Sequence, residues 1–70
     1  MSRYEYADCV SDLLERRNGI TLDQLARYST EVEDEVEDAR QETRSPEDAA
    51  SELVRQHMPE VELAAMRGAA

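Results

Sequence analysis

The sequence has few of the large side chains on which a small hydrophobic core usually depends. It contains no Trp and no Phe, and its three Tyr are the only aromatic residues among 70 positions. A chain of this length forms at most one domain and buries a modest fraction of its surface. We therefore expect a single helical domain, residues 1–70, with a thin core.

Cysteine is also scarce. Cys9 is the only cysteine, so no disulfide can form within the chain, and this favours a reducing compartment. The first residues, MSRYEYAD, are acidic where a signal peptide has an apolar run, and no segment approaches the roughly 20 apolar residues that a membrane span needs. We expect a cytoplasmic protein.

Positive charge is limited to Arg and is outnumbered. Seventeen Asp and Glu face eight basic residues, all of them Arg, so the net charge is -9 and the pI is about 4.4. Contacts with nucleic-acid phosphates and with anionic membranes need Lys and Arg. The composition therefore disfavours direct binding to either and favours a basic protein partner or a salt-rich cytosol.

The sequence offers few groups for catalysis. With one His and one Cys it cannot build a zinc site, and it has no Gly-rich loop that would hold a phosphate. Carboxylates are numerous, but a general acid needs a desolvated pocket, which a chain this short rarely forms. We predict a non-enzymatic protein with no catalytic residue, cofactor or metal. His57, near a predicted helix end, is expected to make a local hydrogen bond or to meet the helix dipole.

Two helices are predicted in the first part of the chain. The first covers about residues 4–17, where apolar residues recur at helical spacing, and Asn18-Gly19 ends it. Thr21 opens the second with the pattern TLDQ, which fits a capping box. The sequence leaves open whether this helix continues to about Thr43 or breaks near Ser29-Thr30, two weak helix formers.

The pattern SPED at 45–48 predicts the start of a third helix, with Ser45 as the cap and Pro46 in the first turn. Pro59 disfavours helical geometry at Met58, so we expect the third helix to end there and a short fourth to follow over about residues 59–67. No stretch alternates apolar and polar residues as a strand does. The predicted fold class is all-α, a small bundle of three main helices plus a short C-terminal fourth helix.

Ten residues are predicted to lead the core: Tyr6, Val10, Leu13, Leu14, Leu22, Leu25, Val32, Val36, Leu53 and Val54. The apolar seam of the second helix spans about 20 residues, or roughly 30 Å, more than one short chain is expected to cover. A homodimer through the second helix is therefore one alternative that the sequence leaves open. Tyr6 and Tyr28 are assigned to the edge of the core. Tyr4, opposite the Tyr6 face, is expected to be exposed and to anchor a partner.

Residues 31–38 read EVEDEVED and concentrate the negative charge. On a helix, Val32 and Val36 face inward and the six carboxylates project along both flanks. Like charges four residues apart cost about 0.2–0.5 kcal/mol per pair, so this charge works against the helix that carries it. One charge per roughly 2 Å of helix approaches the one per about 1.7 Å of duplex DNA. The run therefore predicts a nucleic-acid mimic that binds a basic protein surface.

The predicted partner-binding residues are Glu31, Glu33, Asp34, Glu35, Glu37, Asp38, Glu42 and Tyr4. Two other interpretations of the acidic run stay open. One is a solvated helix face without a specific role. The other is a divalent-cation site, although the run lacks the Gly turn and the alternating oxygen ligands of an EF-hand loop.

The segment ITLDQLARYS, residues 20–29, resembles the first helix of a helix-turn-helix DNA-binding unit. In that family a Leu-Ala pair such as Leu25-Ala26 packs against the second helix, and Val36 lies where that helix carries an inward aliphatic residue. The family usually has Gly at the turn, where this chain has Thr30, and an apolar residue after it, where this chain has Glu31. The second helix that the resemblance implies, VEDEVEDARQE, carries carboxylates that phosphates would repel.

In size, acidity and helicity the chain looks like phage- or plasmid-encoded anti-restriction or anti-CRISPR proteins, without a shared motif. We therefore predict an inhibitor or regulator that occupies a basic, nucleic-acid-binding surface of a partner protein and contacts neither nucleic acid nor a membrane itself. The alternatives are a dimeric helical interaction module, of the antitoxin or accessory-protein type, and a divergent helix-turn-helix regulator.

Overall fold

The computed structural model describes residues 1–69, and over that range it consists of four α-helices without a strand. In chain order these are α1 (Arg3–Asn18), α2 (Leu22–Ala26), α3 (Glu31–Gln41) and α4 (Pro46–Ala69). The long helices α1 and α4 make the most extensive contact, and α3 packs against the other three. The predicted all-α bundle of three longer helices and one short helix is confirmed. The short helix, however, is the second in the chain and not the last.

The ends of the first helices follow from local hydrogen bonds. Gly19 ends α1 in the left-handed conformation, with φ of 68°, and its N–H donates to the Glu15 carbonyl at 3.0 Å. A residue without Cβ adopts this conformation at little cost. At the start of α2 the predicted capping box is confirmed. Thr21 Oγ1 accepts from the Gln24 N–H (3.2 Å), and the Thr21 N–H donates to Gln24 Oε1 (2.9 Å).

The predicted second helix is broken, as one of its two alternatives anticipated. α2 ends at Ala26 and α3 begins at Glu31, whose N–H donates to Ser29 Oγ at 3.3 Å. Because the chain turns here, Leu25 and Val32 reach the same core cluster from two different helices, and both are fully buried. Tyr28 lies in the turn and is 46 % exposed, so its assignment to the edge of the core was wrong.

The predicted helix end at Met58 was also wrong, because α4 continues through Pro59 to Ala69. A proline inside a helix removes one backbone hydrogen bond and costs about 3 kcal/mol relative to alanine. Packing on both sides of the proline opposes this cost. His57 is buried before it, and Met58 and Val61 are half-buried against the core. The bias that a proline imposes on the preceding residue is therefore overridden by tertiary contacts.

The core has the predicted composition. Seven of the ten predicted residues are buried, namely Tyr6, Val10, Leu14, Leu25, Val32, Val36 and Leu53, and Leu13, Leu22 and Val54 are half-buried against them. The predicted apolar seam of residues 22–39 lies against the rest of the same chain. Leu25 and Val32 have no exposed surface, and Val36 and Ala39 are 6 % exposed. The argument for a homodimer through this seam, that one chain cannot cover it, therefore no longer applies.

The turn between α3 and α4 is strained and is held by a tyrosine. Thr43 has φ of 57° and is the one residue other than glycine with positive φ in the part of the chain that the structure describes. For a β-branched residue this conformation costs on the order of 1–3 kcal/mol. In the same turn the Arg44 carbonyl accepts a hydrogen bond from the buried Tyr6 hydroxyl at 2.9 Å.

None of the helices within residues 1–69 is both long and apolar enough to cross a bilayer.

Candidate functional site

The acidic run lies on α3, and its inner side is apolar as the periodicity predicted. Val32, Val36 and Ala39 are buried, so the carboxylates occupy the positions that remain. Residues 31–42 contain seven carboxylates and one Arg, and therefore carry -6 of the net charge of -9. The negative charge of the protein is concentrated on a single short helix and the residue that follows it.

Four of these carboxylates are exposed and have no cationic side chain within 4 Å in the part of the chain that the structure describes. They are Glu31, Glu33, Asp34 and Asp38, and we call them the open carboxylates. Four charges over eight helical residues correspond to one per about 3 Å. That density is lower than the density of the whole run, and it approaches the one charge per 3.4 Å of a single DNA strand.

Glu35 is half-buried and, unlike the open carboxylates, is bonded within the fold. Both of its oxygens accept from His57 Nε2 on α4, at 3.0 and 3.1 Å, and the His57 residue is only 4 % exposed. When the Gln56 amide is oriented with its nitrogen toward Glu35, that nitrogen also donates to the two carboxylate oxygens, at 2.8 and 3.3 Å. The expectation that His57 makes a local hydrogen bond or meets a helix end was wrong, since it lies inside α4 and bonds to α3. Its Nδ1 is buried without a hydrogen-bond partner among the described residues.

Glu37 is also engaged within the fold. Arg40 Nε donates to both of its carboxylate oxygens at 3.2 Å, and Arg3 Nε lies 3.9 Å from Oε2. The hydrogen bonds from Arg40, with the charge of Arg40 and a further hydrogen bond from Gln41, hold the pKa of the Glu37 carboxyl below its ordinary value. Glu37 therefore stays ionised, but the positive charges of Arg40 and Arg3 offset its charge, so it contributes less than the open carboxylates to the field outside the protein.

Glu42 lies at the end of α3, where it pairs with Arg44 at 2.9 Å. Together with Asp38 and Glu35 it lines an open cleft of about 220 Å³ between α3 and α4, opposite Glu52 on α4. Within residues 1–69 no group of three or more His, Cys, Asp or Glu side chains is placed to hold a metal ion.

Tyr4 is exposed as expected, with 78 % of its surface accessible. It lies beside a groove of about 290 Å³ between α1, α2 and α3, which Glu33 and Glu37 also line. The structure thus brings Tyr4 next to one flank of the acidic helix, which the sequence alone did not indicate. Asp23, which the sequence analysis did not single out, lines the same groove.

The surface of α3 bears on the helix-turn-helix alternative. Leu25 and Val36, on which the resemblance rests, are both buried, as core residues of any helical bundle are. The side of α3 that would face DNA, however, carries the open carboxylates, which phosphates repel. Comparison of the chain with protein-family models, with curated proteins and with solved structures found no significant match in any of the three.

Proposed function

We propose that this protein is a small non-enzymatic inhibitor or regulator that occupies a basic, nucleic-acid-binding surface of a partner protein through the outward side of α3. The observation that supports the proposal is the division of the acidic run into two sets. Glu35 and Glu37 have cationic or hydrogen-bonding partners within the fold, whereas the four open carboxylates have none among the described residues. The open set makes no ion pair or side-chain hydrogen bond among the described residues, so its charges are available to a partner.

Such a surface acts by occupying the site that nucleic acid would use. Opposite charges attract over distances of about the Debye length and can raise association rates 10- to 1,000-fold. The partner's Arg and Lys side chains then pair with the open carboxylates, and bound phosphates can no longer reach those cations. Because the attraction is between exposed charges, affinity is expected to fall steeply as salt is added.

The proposal is tested by reversing the open carboxylates. A variant with Glu31→Lys, Glu33→Lys, Asp34→Lys and Asp38→Lys should lose binding to basic proteins from a host lysate while its helical circular dichroism is retained. The matched control reverses four exposed carboxylates that lie on other helices and have no ion pair within the described residues, at Asp8, Glu15, Glu60 and Glu62. Four reversals change the charge by eight units in each case, so both variants carry -1.

Comparing these two variants separates the effect of where the negative charge lies from the effect of the total net charge. If the surface of α3 is the binding site, only the α3 variant loses the partner, and the wild-type complex dissociates as salt rises. Equal retention by the wild type and the α3 variant would contradict the proposal. So would an affinity that does not change with salt.

A second candidate function, an interaction module that binds through apolar contacts, is favoured by the far end of α4. Leu63 and Met66 are 48 % and 70 % exposed there, on a part of the helix that makes few core contacts. A partner bound through these side chains would be released by Leu63→Glu and Met66→Glu and would tolerate added salt. The same salt titration therefore distinguishes the two candidates.

A further inference from the structure

The groove beside Tyr4 combines an apolar floor with an acidic rim. Ala7, Leu22 and Ala26, from α1 and α2, form part of the floor, and Asp23 and Glu33 lie at the edges. Its volume of about 290 Å³ lies at or below the lower limit for pockets that bind small-molecule ligands. That size suits one long side chain of a partner better than a cofactor.

The charge of the rim determines which kind of partner side chain the groove can bind. Asp23 and Glu33 are exposed and have no ion pair among the described residues. Glu37, at the same groove, is held by Arg40 and is approached by Arg3 at 3.9 Å. The carboxylates of the groove that have no ion pair among the described residues are therefore Asp23 and Glu33, and they repel phosphate and carboxylate groups while attracting a cation.

Tyr4 supplies an aromatic ring at the same place. The side chain is 78 % exposed although it is largely apolar, and it lines the groove. A guanidinium group stacks on an aromatic ring and forms forked hydrogen bonds with carboxylates, while its methylene stem can lie on an apolar floor. A lysine ammonium is a strongly hydrated point charge, so it stacks less well on the ring and cannot form the forked hydrogen bonds.

From these three features we propose that the groove between α1, α2 and α3 receives an arginine side chain of the basic partner, stacked on Tyr4 and paired with Asp23 and Glu33. The inference rests on the proposed function, because it assumes a basic protein partner, and it names the residue type that the partner inserts. Arg3 of the same chain lines the groove, 3.9 Å from Glu37, and competes as an internal cation.

The test uses two short probes and nuclear magnetic resonance of the labelled protein. The probes are the acetylated, amidated peptides Gly-Arg-Gly-Arg-Gly and Gly-Lys-Gly-Lys-Gly, titrated at low salt. The arginine peptide should shift the backbone amide signals of Tyr4, Ala7, Asp23 and Ala26, and the lysine peptide should bind these residues more weakly.

Variants at the groove then assign the contacts. Tyr4→Ala should weaken binding of the arginine peptide about two- to fivefold, which is the range of a cation–π contact at an exposed site, whereas Tyr4→Phe should retain the affinity because the ring remains. Arg3→Ala should raise the affinity by removing the internal competitor. If Arg3→Ala binds the arginine peptide with unchanged or lower affinity, the arginine side chain does not enter the groove. Unchanged binding of the peptide to Tyr4→Ala would show the same.

The position of the shifts separates the failure of this inference from the failure of the proposed function. Shifts confined to Asp34, Asp38 and their neighbours, equal for both peptides, would overturn the groove assignment and leave the acidic binding surface standing. No binding of either peptide anywhere at low salt would overturn both.

Discussion

Replacing Glu35 with alanine should destabilise the protein, whereas the same replacement three residues later, at Asp38, should stabilise it. The two residues belong to one acidic run and are nearly identical in chemistry. They differ in surroundings. Glu35 accepts hydrogen bonds from the buried His57 ring at 3.0 and 3.1 Å, whereas Asp38 is exposed and has no ion pair within the described residues.

The magnitudes follow from what each replacement leaves behind. Glu35→Ala leaves the His57 N–H buried without an acceptor, which costs about 1–3 kcal/mol. The Glu35 side chain is 28 % exposed, so water can partly replace it, and relief of the repulsion by Glu31 returns about 0.2–0.5 kcal/mol. We expect a net loss of about 1–2 kcal/mol. Asp38→Ala removes like-charge pairs with Asp34 and Glu42 and improves helix propensity, for a gain of about 1 kcal/mol.

Urea unfolding followed by circular dichroism at pH 7 measures the difference. Typical urea slopes for small proteins are about 1–3 kcal/mol per molar. A difference of about 2–3 kcal/mol between the variants therefore separates their midpoints by about 1–2 M at a slope near 1.5. Glu35→Gln, which keeps one acceptor oxygen, should lie between the wild type and Glu35→Ala. Midpoints for Glu35→Ala and Asp38→Ala that agree within error would refute the assignment of Glu35 to the fold.

Two further predictions concern the turn and the long helix. Burial raises the pKa of the Tyr6 hydroxyl, so its stabilising contribution is complete below pH 10 and is lost as pH rises through the folded-state value. In Tyr6→Phe, the free energy of unfolding, followed by circular dichroism, should therefore fall less steeply as pH rises above 10. At pH 7 the same variant should lose about 0.5–1.5 kcal/mol of stability, because the hydrogen bond to the Arg44 carbonyl is absent. Pro59→Ala restores a backbone donor inside α4 and should raise the free energy of unfolding by up to about 3 kcal/mol, whereas an unchanged urea midpoint would argue against a helix that continues through this position.

The sequence predicted the starts of α1, α2 and α4 and most of the core because these depend on residues that are close along the chain. The capping box of Thr21 and Gln24 and the inward positions of Val32 and Val36 follow from spacing alone. The sequence could not decide whether α2 and α3 form one continuous helix, because helix propensity is a weak guide. The break depends on how Leu25 and Val32 both reach one core. At Pro59 the local preference was outweighed by contacts that the sequence does not display.

The candidate site was predictable only as a region. In a helical projection of the sequence, all six carboxylates of residues 31–38 lie outside the apolar stripe of Val32, Val36 and Ala39, and the partners of Glu35 and Glu37 lie partly elsewhere in the chain. His57 is 22 residues from Glu35, and Arg3 approaches Glu37 from the first helix. A signal was present in the apolar stripe of α4, where a buried His57 needs a partner for its ring. Nothing in the spacing identified that partner as Glu35.

The open carboxylates give folding and binding opposite dependences on salt. In the free protein they repel one another along α3, and salt screens this repulsion, so stability should rise as salt is added. In the proposed complex the same charges attract the partner, and salt weakens that attraction. A partner at 100 times its dissociation constant stabilises the folded state by about 2.7 kcal/mol. This exceeds the roughly 1–2 kcal/mol of repulsion expected from the four like-charge pairs of residues 31–42 that are four residues apart, which are Glu31–Glu35, Glu33–Glu37, Asp34–Asp38 and Asp38–Glu42. The charge that destabilises the free protein can therefore be retained for binding, because the partner's cations offset the repulsion when the complex forms.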